Sequence, residues 1–319
     1  MAELTARQPL SLAAVPEEKQ EPLLRRVLRC KECYLLILPT FVLVLLFNYY
    51  PAVSALYHSL FDWNGANFKQ FSGFSNFINL AKDDIFWLAV GNMVKLTVAG
   101  VLISLTFPLI AASLIFHLRD LKMAYFYRVL FVIPLVVPGV VVLMIWRSIY
   151  SPNIGLLNQL LKAVGLGMWA RPWLGDFKLA LAAVIFIGFP WVAGISTLIY
   201  LAGFQAIPVE LLDAAAIDGA SVWARFWRVE IPLILSQIKL IVILTIIGSF
   251  QGFTTIFIMT NGGPGMTTMV PGLYLYRNAM YYSKMGYACA IGTVIFIITL
   301  ILTYLNTRYL KSSVEFVGV

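Results

Sequence analysis

Six apolar runs, each long enough to cross a hydrocarbon layer, dominate this chain and leave little freedom in how it can fold. They cover approximately residues 34–56, 86–116, 125–149, 179–202, 233–259 and 287–306, and they carry almost no acid. Hydrophobic residues make up 61% of the 319 and charged ones only 12%. A soluble core of this size cannot hide such an apolar excess, whereas a bilayer dissolves it. In lipid each backbone N–H and C=O must be satisfied within the segment, so the runs predict an all-α integral membrane protein with six transmembrane helices.

The basic residues give the orientation. The net charge of +8 could suggest nucleic acid, but Lys and Arg sit at the ends of apolar spans and form no aromatic-interleaved patch, so nucleic acid is not expected as a partner. Arg25, Arg26, Arg29 and Lys31 precede the first span, and His117, Arg119 and Lys122 follow the second. More basic residues fall on the side of the two termini than on the other, which places both termini inside. Residues 1–20 are polar, with the composition of a disordered segment. No small-residue cleavage site follows the basic cluster, so the first span is expected to be a retained anchor. The chain then divides into a cytoplasmic segment 1–32, a first span and external loop 33–85, a five-helix core 86–308 and a cytoplasmic tail 309–319.

No catalytic set is legible. His58 and His117 lie near opposite membrane faces, and no G-x-x-x-x-G-K-[ST] phosphate loop is present. Cys30, Cys33 and Cys289 make no disulfide framework. Cys30 and Cys33 have metal spacing but no second pair or histidine beside them, so no metal is expected. Energy for any transport must come from a partner or a gradient.

One stretch between two apolar spans on the inner side is too ordered to be a mere connector. Residues 203–233, GFQAIPVELLDAAAIDGASVWARFWRVEIPL, read as two short helices around a glycine. Pro208 suits a first helical position, Glu210 the first turn, and Gly219 a left-handed closure. Ser221 can cap a second helix whose Trp223, Phe226 and Trp227 share a face, and Pro232 marks the break before the next span.

This run resembles the cytoplasmic EAA loop of ABC-importer permeases. Asp213-Ala214-Ala215 stands for Glu-Ala-Ala, Gly219 for the glycine four residues on, and Ile231-Pro232 for the end of the pattern. Asp213 keeps the charge with a shorter reach, while Glu230 and Ile231 depart from the usual apolar spacing. Further stretches, among them Asp62-Trp63-Asn64-Gly65, Trp173-Leu174-Gly175-Asp176 and Thr260-Asn261-Gly262-Gly263-Pro264-Gly265, are similar to the sugar-type permeases (maltose and glycerol-phosphate-like) of binding-protein-dependent systems. The resemblance implies a type I ABC importer permease fold, a second homologous permease, a dimer of ATP-binding subunits holding ATP and Mg, and an external solute-binding protein. It places the chain in a bacterial inner membrane. It also implies that Glu210, Asp213, Ala214, Ala215, Gly219 and Pro232 couple the pore to the ATPase, moving the fourth and fifth spans with the loop. No cofactor is expected in this chain.

Polar groups inside spans are candidates for the translocation path. Lys95 lies well inside the second span, where it either lines a water-filled vestibule and favours an anionic substrate or snorkels. Asn92, Trp191, Phe250, Gln251 and Phe253 supply the aromatic faces and amides that sugars use. Asn92 and Gln251 could equally bond helix to helix. A secondary transporter is the main rival reading, but it requires intramembrane carboxylates that these spans lack. Within the ABC architecture, glycerol-phosphate or a polyol stays open as the substrate.

Overall fold

A computed structural model describes residues 31–192 and 194–309. Arg25, Arg26, Arg29, Cys30 and Lys311, with nearly all of the proposed terminal segments 1–32 and 309–319, lie outside the described residues. The contacts divide the chain between Val53 and Ser54. Within the first unit, α1 (Lys31–Val44) continues through a π-helical turn (Leu45–Tyr49) into the start of α2 (Tyr50–His58). Side chains from Glu32 to Val53 are all exposed, as suits a helix solvated by lipid.

The second unit opens with an antiparallel hairpin, β1 (Phe61–Trp63) and β2 (Lys69–Phe71), in which Phe61 faces Phe71. No strand was anticipated there. The hairpin leads to the short helix α3 (Ser75–Ala81), which carries Phe77 and Ile78. Asp83 then caps α4 (Asp84–Ser104) by accepting from the Ile85 and Phe86 amides, and α5 (Phe107–Phe116) completes the second span after a turn at Leu105–Thr106. Next come α6 (Leu121–Val136) and α7 (Gly139–Ile149), meeting at 91° where Pro138 denies the helix a donor. The third span is thus broken in two. On the segment after it, the stretch SPNIGLLNQLLKAVG forms the amphipathic helix α8 (Leu156–Ala163).

The fourth span is not the single helix that the apolar run 179–202 suggested. It consists of α9 (Ala180–Ile185) and α10 (Ile195–Gln205), separated by a turn with positive φ at Gly188, Trp191 and Gly194. Pro190 cannot donate in that turn, and the flanking glycines relax into left-handed backbone that α-helix forbids. After α10 come α11 (Val209–Ile217), α12 (Val222–Arg225), a π-helical turn (Phe226–Glu230) and α13 (Ile231–Leu233). The fifth span is α14 (Leu235–Gln251) and, past a break at Gly252–Phe253, α15 (Thr254–Met259). The chain closes with α16 (Pro271–Met280) and α17 (Met285–Tyr309).

Among the described residues, three helices can by length and apolarity cross a membrane unbroken, 32–58, 84–116 and 285–308. Three bent pairs pass the same test jointly: α6 with α7, α10 with α11, and 222–233 with α14. Two packed clusters hold the second unit. One gathers Phe86, Ala89, Ile256, Met269, Leu273 and Ile291, and the other Ala112, Ile115, Tyr200, Phe204, Ile234 and Ile241. In lipid these clusters cohere by close packing, which explains the small residues at the crossings. A Cβ on Gly203 would lie 2.9 Å from Gln237 Cγ, and one on Gly286 would strike the Phe61 carbonyl.

Candidate functional site

The loop between α10 and α14 is built as its residues dictate. Pro208 caps α11 from just outside it, one position earlier than expected, with φ −57° already suited to the helix. α11 buries none of its residues: Glu210, Asp213 and Ala214 are exposed and Ala215 half-buried. Gly219 closes the helix at φ +77°. The Ala220 amide reaches back to the Ala215 carbonyl at 3.0 Å and the Gly219 amide to Ala216 at 3.1 Å, a Schellman closure that satisfies the last carbonyls. Ser221 Oγ then accepts from the Ala224 amide at 3.2 Å and starts α12.

The three aromatics lie together, the Phe226 ring centre 6.4 Å from that of Trp223 and 5.2 Å from that of Trp227. Phe226 packs into the core beside Ile207 and Ile234, while Trp223 and Trp227 are 72% and 57% exposed. Pro232, exposed, lies in α13, and the chain bends by 68° into α14 at Ile234.

Glu230, which the sequence marked only as a departure from an apolar pattern, is fully buried at the end of that turn. Its Oε1 accepts from Arg225 Nε at 3.0 Å and from His117 Nε2 at 3.1 Å. His117 caps α5, and its Nδ1 faces the Ser113 carbonyl at 2.8 Å. Both ring nitrogens therefore face acceptors, the arrangement of a protonated imidazole. The Glu230 carboxylate raises the His117 pKa above its ordinary 6.5, against the opposing effects of burial and the Arg225 charge. An acid in an apolar stretch, on the same side of the membrane as a histidine at a span end, was the available signal for this pairing.

The proposed path residues fall in separate places. Phe250, Gln251 and Phe253 come together at the break between α14 and α15, lining a cavity of about 340 Å³ that Phe296 and Thr299 close from α17. Phe250 is buried, whereas Gln251 is exposed and presents its amide. Phe253 stacks on Tyr276 with ring centres 5.5 Å apart. Asn92 is buried in α4 and donates to the carbonyls of Thr267 and Met269. Trp191 sits in the break of the fourth span, its Nε1 donating to Ile187 O at 2.9 Å and its ring 4.8 Å from that of Phe107. Lys95 is exposed on α4, and among the described residues no hydrogen bond or ion pair holds it. Of the other cations in the spans, Lys239 donates to the Thr307 carbonyl at 3.1 Å, and Arg147 is exposed like Lys95.

On the opposite side from the loop, Asp83 is a second unanticipated centre. It accepts from Tyr274 and Tyr287 hydroxyls, each at 2.6 Å, besides capping α4. Burial opposes its charge, but these hydrogen bonds outweigh it and hold the carboxyl below its ordinary range.

Comparison with known proteins fits this architecture. Residues 104–315 match the family described as binding-protein-dependent transport system inner membrane component. A probable ABC transporter permease protein of Bacillus subtilis is 35% identical over 283 residues, 88% of this chain and 97% of its own. An sn-glycerol-3-phosphate transport system permease protein of Escherichia coli is 30% identical over 289 residues, 89% and 95% of the two chains. A diacetylchitobiose uptake system permease protein of Streptomyces coelicolor is 32% identical over 261 residues, 79% and 74%. Among solved structures, a bacterial alginate ABC transporter in complex with an alginate pentasaccharide-bound periplasmic protein has a chain of the same fold, with TM-score 0.79 over 92% of this chain and all of that one, at 23% identity. On its fold, its family match and these relatives, the chain belongs to the inner membrane components of binding-protein-dependent transport systems and is an ABC transporter permease, a transport subunit and not an enzyme.

Proposed function

We propose that this permease forms half of a pore that imports a sugar or oligosaccharide, paired with a second homologous permease, driven by a dimer of ATP-binding subunits and fed by an external solute-binding protein. ATP and Mg reside in the ATPase partners. The loop and both termini face the bacterial cytoplasm, as the basic residues at the span ends indicate. The observation that carries the reading is the capped, largely exposed helix α11 within the loop 203–233. α11 is closed at both ends and rests on its own chain only through half-buried Leu212 and Ala215, so the exposed Glu210, Asp213, Ala214 and the two indoles are free to enter a groove on another protein. Closure of the ATPase pair then displaces the loop and the spans rooted in it, switching the pore between inward- and outward-facing states.

Gly219→Arg tests this. The variant should insert and pair normally but lose both transport and binding-protein-stimulated ATP hydrolysis. Unaltered transport would overturn the docking role. Protease or label access to Ala214 from the exterior would overturn the orientation.

For the solute, Gln251 and the aromatic rings at the α14–α15 break supply an amide and flat faces of the kind carbohydrates use, and relatives are named for diacetylchitobiose, multiple sugars and starch degradation products. Gln251→Ala should weaken uptake without disturbing assembly. A second reading rests on Lys95, which lies about 16 Å along α4 from Asp84 at 1.5 Å per residue, with its ammonium unpaired. In a water-filled path it favours an anionic solute, an acidic sugar or a glycerol phosphate. Identifying the cargo of the cognate binding protein separates the two readings.

A further inference from the structure

We propose that Glu230 is a positioning residue for energy coupling: its buried carboxylate clamps the second half of the loop to the inner end of the second span, so that the loop moves the core instead of pivoting on its own roots. The inference rests on the docking role of the loop and adds a part that neither the motif nor the relatives assign.

The loop is attached at two bends, 70° between α10 and α11 and 68° at Ile234 before α14. A lever jointed at both attachments transmits little of a push applied between them. Something must stiffen one joint. Phe226 and Ile231 pack against the core beside the second bend, but packing alone permits rolling. Glu230 adds direction: Arg225 on its own side and His117 on α5 converge on one oxygen, Oε1, through charge-assisted bonds of fixed geometry. His117 is fixed in turn by the Ser113 carbonyl. From there α5 packs along α10 through Ala112, Ile115, Leu201 and Phe204, and α4 continues toward Asn92 and Lys95.

The arrangement is poor as a device for stability alone. Glu230 Oε2 is buried without a partner among the described residues, and an apolar side chain of similar volume would avoid that desolvation. A carboxylate kept there in spite of it is explained by the directed joint to His117.

The test uses the assembled complex in nanodiscs, with both permeases, the ATPase pair and the binding protein. Cys30, Cys33 and Cys289 are first replaced by Ser. A spin label at Val98→Cys, exposed on α4, reports the core, and its spectrum is compared before and after MgATP with vanadate. In the Glu230→Gln variant, ATP hydrolysis should stay within about twofold while the response at the label falls about fivefold or more, a size typical of coupling between sites. His117→Gln should reproduce this, and the double variant should be no worse than either single one, because both remove one interaction. An unchanged label response in Glu230→Gln, or losses that multiply in the double variant, would overturn the clamp. A joint fall of hydrolysis, label response and thermal stability would overturn it too, in favour of a purely structural pair. If Glu230→Gln does not assemble, His117→Gln decides alone by the same readout. Gly219→Arg in the same preparation isolates the underlying reading: if it hydrolyses and responds like the parent, the docking role fails and the clamp with it.

Discussion

Asn92 donates one amide hydrogen to the Met269 carbonyl at 2.9 Å, and the other goes to Thr267 at 2.8 Å. One side chain on the second span thereby holds the glycine-rich turn that precedes α16. Asn92→Leu would leave two carbonyls without these donors at a site where the Asn side chain is 4% exposed, a loss of about 1–3 kcal/mol. The expected result is a lower unfolding temperature of the purified complex with an unchanged half-saturating solute concentration. An unchanged melting temperature together with altered solute affinity would return Asn92 to the translocation path.

Gly219 has open space where a Cβ would go, so only its backbone at φ +77° resists substitution. A left-handed β-carbon costs about 1–2 kcal/mol, and less for asparagine. Stimulated ATP hydrolysis should therefore fall in the order Gly, Asn, Ala, with the permease still inserted. Equal activity of Asn and Ala variants would show that the closure of α11 is irrelevant to coupling.

What the sequence made legible follows range of interaction. Pro208, Gly219 and Ser221 act within a few residues of themselves, and the loop they predict is the loop observed. The apolar runs declare a membrane protein because lipid reads composition directly. Breaks were harder: 179–202 is uniformly apolar, so nothing in its hydropathy distinguishes a continuous helix from α9 and α10 around a left-handed Trp191. Hardest were pairings such as Glu230 with His117, 113 positions apart, and Asp83 with Tyr274 and Tyr287. These depend on how helices cross, which one sequence does not state.

Gly203 and Gln237 mark the crossing of α10 and α14 at the root of the loop. Gly203→Ala would place its Cβ 2.9 Å from both Gln237 Cγ and Cδ, forcing apart helices that flank the coupling element. Overpacking of this kind costs about 1–3 kcal/mol. Gln237→Ala should restore the loss, since it removes the obstructing atoms together with a buried oxygen that has no partner among the described residues. Thermal unfolding of the two single variants and the double one checks this. A double variant no more stable than Gly203→Ala alone would refute the contact.

His117 should make the inner end of the permease sensitive to alkali. The carboxylate of Glu230 lifts the imidazole's pKa above 6.5, so the folded state holds a proton that the unfolded chain releases earlier. That contribution to stability is fully present below about 6.5 and disappears as pH rises through the elevated folded value. Above it, Glu230 keeps Arg225 but faces a neutral ring, and the joint to α5 weakens. Melting curves of the complex from about pH 6 to about pH 9 should fall for the wild type relative to His117→Gln, which has no proton to lose at this position. The two proteins should differ most at the acid end and converge at the alkaline end. A difference that stays constant across the range would mean that the imidazole is neutral throughout and that its link to Glu230 is an ordinary hydrogen bond.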